Sequence, residues 1–139
     1  MANIIPVFID TNVWVYAFNK TQDSTKTVKA KSLIRSEPSI FVSTQVMSEL
    51  SVTLLRKFAA TEPTIRRLTR SMYRKYRVLE YTQATYFTAS YVREIYTLSF
   101  WDSTIVASAL ESGSVKLYSE DLQDGLTINN QVTVQNPFR

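Results

Sequence analysis

Two residue types are missing from this chain, and each absence limits what it can do. There is no cysteine among the 139 residues. That removes disulfides, zinc–thiolate centres and cysteine nucleophiles, and it suits a reducing compartment. There is no histidine either, which rules out a Ser-His-Asp triad, a histidine general base and a histidine-ligated metal. A metal here would have to sit on oxygen ligands, a donor set that favours Mg²⁺ or Mn²⁺. Glycine is scarce, with two residues, so the chain has few loose joints. Long apolar runs are lacking too: the stretch from Ile4 to Ile9 is broken by Pro6, ends at Asp10 and has no basic segment before it. The sequence therefore shows neither a signal peptide nor a membrane span, and cytoplasmic location is the expectation.

What is present is ordinary in amount and uneven in placement. An apolar content of 45% with 20% charged residues suits a globular protein, and the length suits one domain over residues 1–139. No repeat, low-complexity tract or linker interrupts it. The net charge is +4 and the pI about 9.4, a balance that hints at a polyanionic partner. Eight of the sixteen basic residues lie between Arg56 and Arg77, where Glu62 is the single acid. Within that stretch Arg66, Arg70 and Arg74 are spaced by four, opposite the apolar positions Ile65, Leu68, Met72 and Tyr76. Such a ridge can follow an RNA backbone. It is nearly as well read as a solvated helix face, or as a docking surface for an acidic peptide.

Hydrophobic periodicity divides the chain into alternating strands and helices. Strands are predicted at Pro6–Ile9, Ile40–Val42, Val78–Tyr81 and Val115–Tyr118, with a fifth at Val132–Val134 on an edge. Helices are predicted over Asn12–Phe18, from a cap at Asp23 or Ser24 to about Arg35, over Gln45–Phe58, from a Thr61 cap through Tyr76, over Gln83–Thr97, and over Ser99–Ser112, closed by Gly113. The second of these should bury Val28, Ala30, Leu33 and Ile34 in part. The fifth should bury Ala84, Phe87, Tyr91 and Ile95. Strands separated by helices mean an α/β architecture: a mostly parallel central sheet of about five strands with helices on both faces, in three layers. Of the aromatic residues, Tyr76, Phe87 and Tyr91 sit at core spacings. Trp14 and Trp101 are the ones expected to be partly exposed and able to stack on bases.

Four acids fall where strands end or helices begin: Asp10, Glu49, Asp102 and Asp121. Each alone has a plain explanation as an N-cap, a solvated helix position, a first-turn Asp or a turn residue. Asp102 stands out because its spacing to Ile105 and Ala109 puts it on the inward face of its helix. Together the four change meaning. In a parallel sheet the strand ends gather on one edge, where such folds hold ligands. Acids crowded there repel one another unless a divalent cation neutralises them. Such a centre can activate water and hold a phosphoryl oxygen without histidine.

The segments FIDTNVWVYAF around Asp10, VMSEL around Glu49, FWDSTIVASAL around Asp102 and LYSEDLQDG around Asp121 resemble the PIN-domain ribonucleases, VapC-type toxins in particular. The likeness runs through nearly the whole chain in the family's order, and the closing Asn136-Pro137-Phe138 is similar to the ending of one subgroup. The resemblance implies a PIN-like fold, a Mg²⁺ or Mn²⁺ site on Asp10, Glu49, Asp102 and Asp121, and supporting roles for Thr11, Asn12 and Ser119. Asp124 is a further, auxiliary acid on this reading, although many relatives carry a histidine or an aromatic residue near that position. The implied activity is hydrolysis of RNA phosphodiester bonds by water activated at one or two ions. The implied partners are RNA, an antitoxin protein and a second copy of the chain. A PIN-fold module that binds RNA or a protein without cutting is the alternative, and the retention of all four acids speaks against it. Two other carboxylate-based folds fit poorly. A receiver domain needs an acidic pair after its first strand, and a haloacid-dehalogenase-type phosphatase needs Asp where Asn12 stands.

Overall fold

The computed structural model describes residues 4–19 and 24–139. Six helices and six strands alternate along them: β1 (Val7–Ile9), α1 (Thr11–Phe18), α2 (Ser24–Ser36), β2 (Ile40–Ser43), α3 (Thr44–Lys57), α4 (Glu62–Lys75), β3 (Arg77–Leu79), α5 (Gln83–Ile95), α6 (Phe100–Glu111), β4 (Lys116–Tyr118), β5 (Thr127–Ile128) and β6 (Val132–Gln135). The strands form one sheet in the order β3-β2-β1-β4-β6-β5. All neighbours are parallel except β5 and β6. Every residue of β1 and β2 is buried, as expected where helices cover both faces of a parallel sheet. The chain builds outward from β1 to β3 and then crosses back to place β4 on the other side of β1. That reversal opens a crevice at the carboxyl end of β1.

The helices start where the sequence allows. Ser43 caps α3 by accepting from the Val46 N–H at 3.4 Å, and Ser99 caps α6 by accepting from Asp102 at 3.1 Å. Pro63 sits in the first turn of α4, where no helical N–H is required. Gly113 ends α6 at a φ of +74°, a left-handed conformation that glycine adopts without strain. The Asp23 alternative for the α2 cap lies outside the described residues. None of the described helices is long and apolar enough to cross a membrane.

Four expectations are corrected. The strand placed on an edge, β6, lies inside the sheet, and the edge is β5, a two-residue strand. The two are joined through Asn129 and Asn130, both at positive φ, where asparagine is tolerated. Strand β5 is too short to carry a period. In α2, Thr27 and Ala30 are buried and Val28 points outward. In α5 the inward face is Thr85, Ala89 and Val92 rather than Ala84, Phe87, Tyr91 and Ile95, which are exposed, Tyr91 by 67%. The small side chains let α5 approach α6, whose residues Ser103 to Ala109 are all buried. Polar ties hold the contact: Arg93 donates to Ser103 Oγ at 2.7 Å, and Thr85 to Glu111 Oε2 at 3.1 Å. The fourth correction is Trp14, which is fully buried. Its indole N–H donates to the Ile9 carbonyl at 3.1 Å, and its ring packs on Tyr76 with centroids 4.9 Å apart.

The two tryptophans thus occupy opposite environments, Trp14 in the core and Trp101 in solvent. In a Trp101→Phe variant the remaining emission should be blue-shifted and resistant to iodide quenching. In a Trp14→Phe variant it should be red-shifted and readily quenched. A quenchable signal from Trp14 would show that α1 does not pack as described.

Candidate active site

The crevice at the end of β1 is a cleft of about 820 Å³, and Asp10, Glu49, Asp102 and Asp121 all line it. They arrive from four parts of the fold: the β1–α1 junction, the second turn of α3, the first turn of α6 and the loop after β4. Asp10 is the N-cap of α1, and its carboxylate accepts from the Thr11 N–H at 2.7 Å and from the Ser119 hydroxyl at 2.8 Å. Asp10 is buried, and among the described residues no lysine or arginine forms an ion pair with it. Burial raises its pKa to about 6; the two hydrogen bonds oppose the rise and the nearby Glu49 and Asp121 add to it.

The residues beside Asp10 reach the other acids. Thr11 donates its hydroxyl to Glu49 Oε1 at 2.8 Å. Asn12 donates its amide to Asp121 Oδ2 at 3.1 Å, and its amide oxygen accepts from the Glu120 N–H at 3.1 Å. Ser119 ties the far side together, because the same Oγ that donates to Asp10 accepts from the Asp121 N–H at 3.2 Å. Glu120 is held off the cleft by Lys26 and by the Tyr16 hydroxyl at 3.0 Å. Asp102 is half-buried rather than on a closed inward face: it stands at the cleft wall, one turn before the buried Ile105.

Two sequence expectations fall elsewhere. Asp124 is not in the cleft. Its carboxylate accepts from the Asn136 N–H at 2.8 Å and lies 3.9 Å from Arg139, so it fastens the C-terminal tail. Arg66, Arg70 and Arg74 lie on the exposed face of α4, and none lines the cleft. Among the described residues, the basic one that does is Lys57. Its signal was available as the spacing Glu49, Thr53, Lys57, fours along one face of α3, and Thr53 also lines the cleft.

The donor set suits a hard divalent ion, being oxygen throughout and including a buried carboxylate with no basic partner among the described residues. Among the described residues no three acids stand close enough together to hold an ion as they are. Glu49 and Asp121 are both exposed, so they have room to move inward.

The PIN domain family model matches residues 7–123. Among solved structures, a toxin–antitoxin complex from Klebsiella pneumoniae aligns with a TM-score of 0.70 at 19% identity, covering 94% of this chain and 97% of that one. VapC20 of Mycobacterium tuberculosis, described as a sarcin-ricin loop cleaving toxin, aligns with 0.67 at 22% identity over 83% and 89%. VapBC2 of Rickettsia felis, bound to a DNA fragment from its promoter, aligns with 0.67 at 18% identity over 95% and 98%. At such identities the structural likeness is one of fold. No curated protein matches by sequence.

The buried Asp10 makes a pH-dependent prediction. Its folded-state pKa of about 6 lies above the ordinary 3.8, so its contribution to stability is whole below the ordinary value and is lost as pH rises through about 6. Asp10→Asn should therefore match the wild type near pH 4 and exceed it by about 3 kcal/mol near pH 8. Urea unfolding at both pH values in EDTA checks this; a gap that did not grow with pH would overturn it.

Proposed function

Given that the chain belongs to the PIN domain family, we propose that it is a Mg²⁺- or Mn²⁺-dependent endoribonuclease acting as the toxin of a toxin–antitoxin pair. The observation that carries this reading is the convergence of four acids, from four separate elements, on one cleft. The likeness in fold to a toxin–antitoxin complex and to a toxin described as sarcin-ricin loop cleaving supports the toxin assignment and an antitoxin partner.

Asp10 and Asp102 are the direct ligands on this reading, with Glu49 and Asp121 completing the set or orienting water. A bound divalent ion supplies a water of lowered pKa and neutralises charge on the phosphoryl group. The chain's own residues do the positioning. Ser119 and the Thr11 N–H fix the Asp10 carboxylate, Thr11 fixes Glu49, and Asn12 fixes Asp121. Lys57, on the cleft wall, offers the positive charge that an incoming phosphate requires. The neutral donors leave each acid's charge in place, so the cleft stays anionic until a cation enters.

A second reading, a PIN-fold module that binds RNA or a protein without cutting, has one observation on its side: the acids do not form an ion cage as they stand. Cleavage of a mixed pool of single-stranded and structured RNA, in Mg²⁺, Mn²⁺ or EDTA, separates the two. The wild type should cut only with metal. Asp102→Asn should lose ~10³-fold or more in rate, since several kcal/mol of charge stabilisation are removed, while its thermal unfolding stays equal or slightly higher. Wild-type rates in that variant would sink the assignment, and retained binding without any cutting would favour the second reading.

A further inference from the structure

The acidic cleft does not end at Asp102. A second hollow of about 430 Å³ opens beside it, lined by Thr44, Gln45, Ser48, Glu49, Tyr81 and Trp101. Ser48 and Glu49 line both, so the two adjoin. They differ in character. The first carries four carboxylates; the second is lined by two aromatic residues, three neutral polar ones and a single acid, Glu49, which lines both.

Trp101 is 64% exposed, yet it is not loose. Its backbone carbonyl accepts from Gln45 Nε2 at 3.2 Å and from the Thr104 hydroxyl at 2.8 Å. Gln45 is itself fixed, because its side-chain oxygen accepts from the Tyr81 hydroxyl and from Thr104. The indole packs edge-to-face on Phe100, with centroids 5.3 Å apart and planes at 82°. The Arg93 guanidinium covers the Phe100 ring at 4.7 Å. A large apolar ring displayed to solvent and held from below is a ready stacking platform.

We propose that this hollow is a subsite for one unpaired nucleobase of an RNA strand, stacked on Trp101 beside the phosphate at the acids. The inference rests on the reading of the protein as a ribonuclease. Trp101 and Asp102 are consecutive in the first turn of α6, so a base on one and a phosphate at the other belong to neighbouring parts of one strand. Glu49 at the border disfavours a second anionic group, which leaves a flat neutral occupant. A base offers its π-face only when it is unstacked, so the nucleotide seated here has to be unpaired.

The test uses a single-stranded RNA oligomer and the same sequence paired into a duplex. In Asp102→Asn protein, the single strand should quench the exposed tryptophan emission and the duplex should not. Trp101→Ala should weaken single-strand binding about tenfold and, in the cutting enzyme, raise KM with little change in kcat. Trp101→Phe should keep most of the affinity, and Trp101→Leu should behave like Trp101→Ala, because stacking rather than apolarity is at work. If Trp101→Ala binds and cuts like the wild type while Asp102→Asn is dead, the subsite is wrong and the ribonuclease reading stands. A wild type that neither binds nor cuts RNA overturns both. A Trp101→Ala variant that splits a dimer without changing RNA affinity assigns the ring to a subunit contact and overturns the subsite.

Discussion

A carboxylate held out of water at the end of the central strand is the constraint around which the rest of the site is arranged. Asp10 follows three buried residues and is itself buried, so its charge is costly, and no basic side chain relieves it among the described residues. Two donors, Ser119 and the Thr11 N–H, offset part of that cost. The first of them also binds the end of β1 to the loop after β4, a strand that the sheet pairs directly with β1. Moving Asp10 would therefore disturb both the start of α1 and the loop that carries Asp121. The site is destabilising by construction, a pattern familiar where charge is kept for chemistry rather than for folding.

The elements on which these residues sit were legible because they lie at boundaries with strong local signals. Asp10 ends an apolar run, and Gly113 is a helix stop. The positions that misled were those where two faces of one helix are both plausible. In α5 the large apolar residues Phe87, Tyr91 and Ile95 define the louder period, but the helix buries the quieter face of Thr85, Ala89 and Val92. Close approach to α6 needs small side chains, and a scan for hydrophobicity does not register that need. Trp14 was misplaced for a different reason. Its place beside a site element suggests partial exposure, whereas the ring turns into the core and the Ile9 carbonyl satisfies its N–H there.

Asp124 shows where proximity in sequence and proximity in space part company. It lies three residues beyond Asp121, yet the turn at Gly125, with φ at +86°, directs the chain back toward β6. There the Asp124 carboxylate meets the backbone of Asn136. The tail in turn returns to the site's flank: Phe138 packs edge-on against Tyr16 at 5.0 Å, and Lys26 lies over both rings. The last acid of the motif therefore acts on the wall of the cleft, through the tail, and not on its floor.

Three of the four acids, Asp10, Glu49 and Asp121, are oriented by neutral donors, hydroxyls and amides. Thr11, Asn12 and Ser119 each hold a different carboxylate. Gln45 does comparable work between helices: it joins the start of α3 to the first turn of α6 through Trp101 and Thr104, and Tyr81 closes the network from the end of β3. Glu49 and Asp102 sit on those two helices, which this one side chain ties together. Neutral donors fix geometry without cancelling charge, whereas a lysine or arginine in the same places would have neutralised the acids it positioned. That distinction is what lets a fold with a net positive charge keep an anionic cleft at its centre.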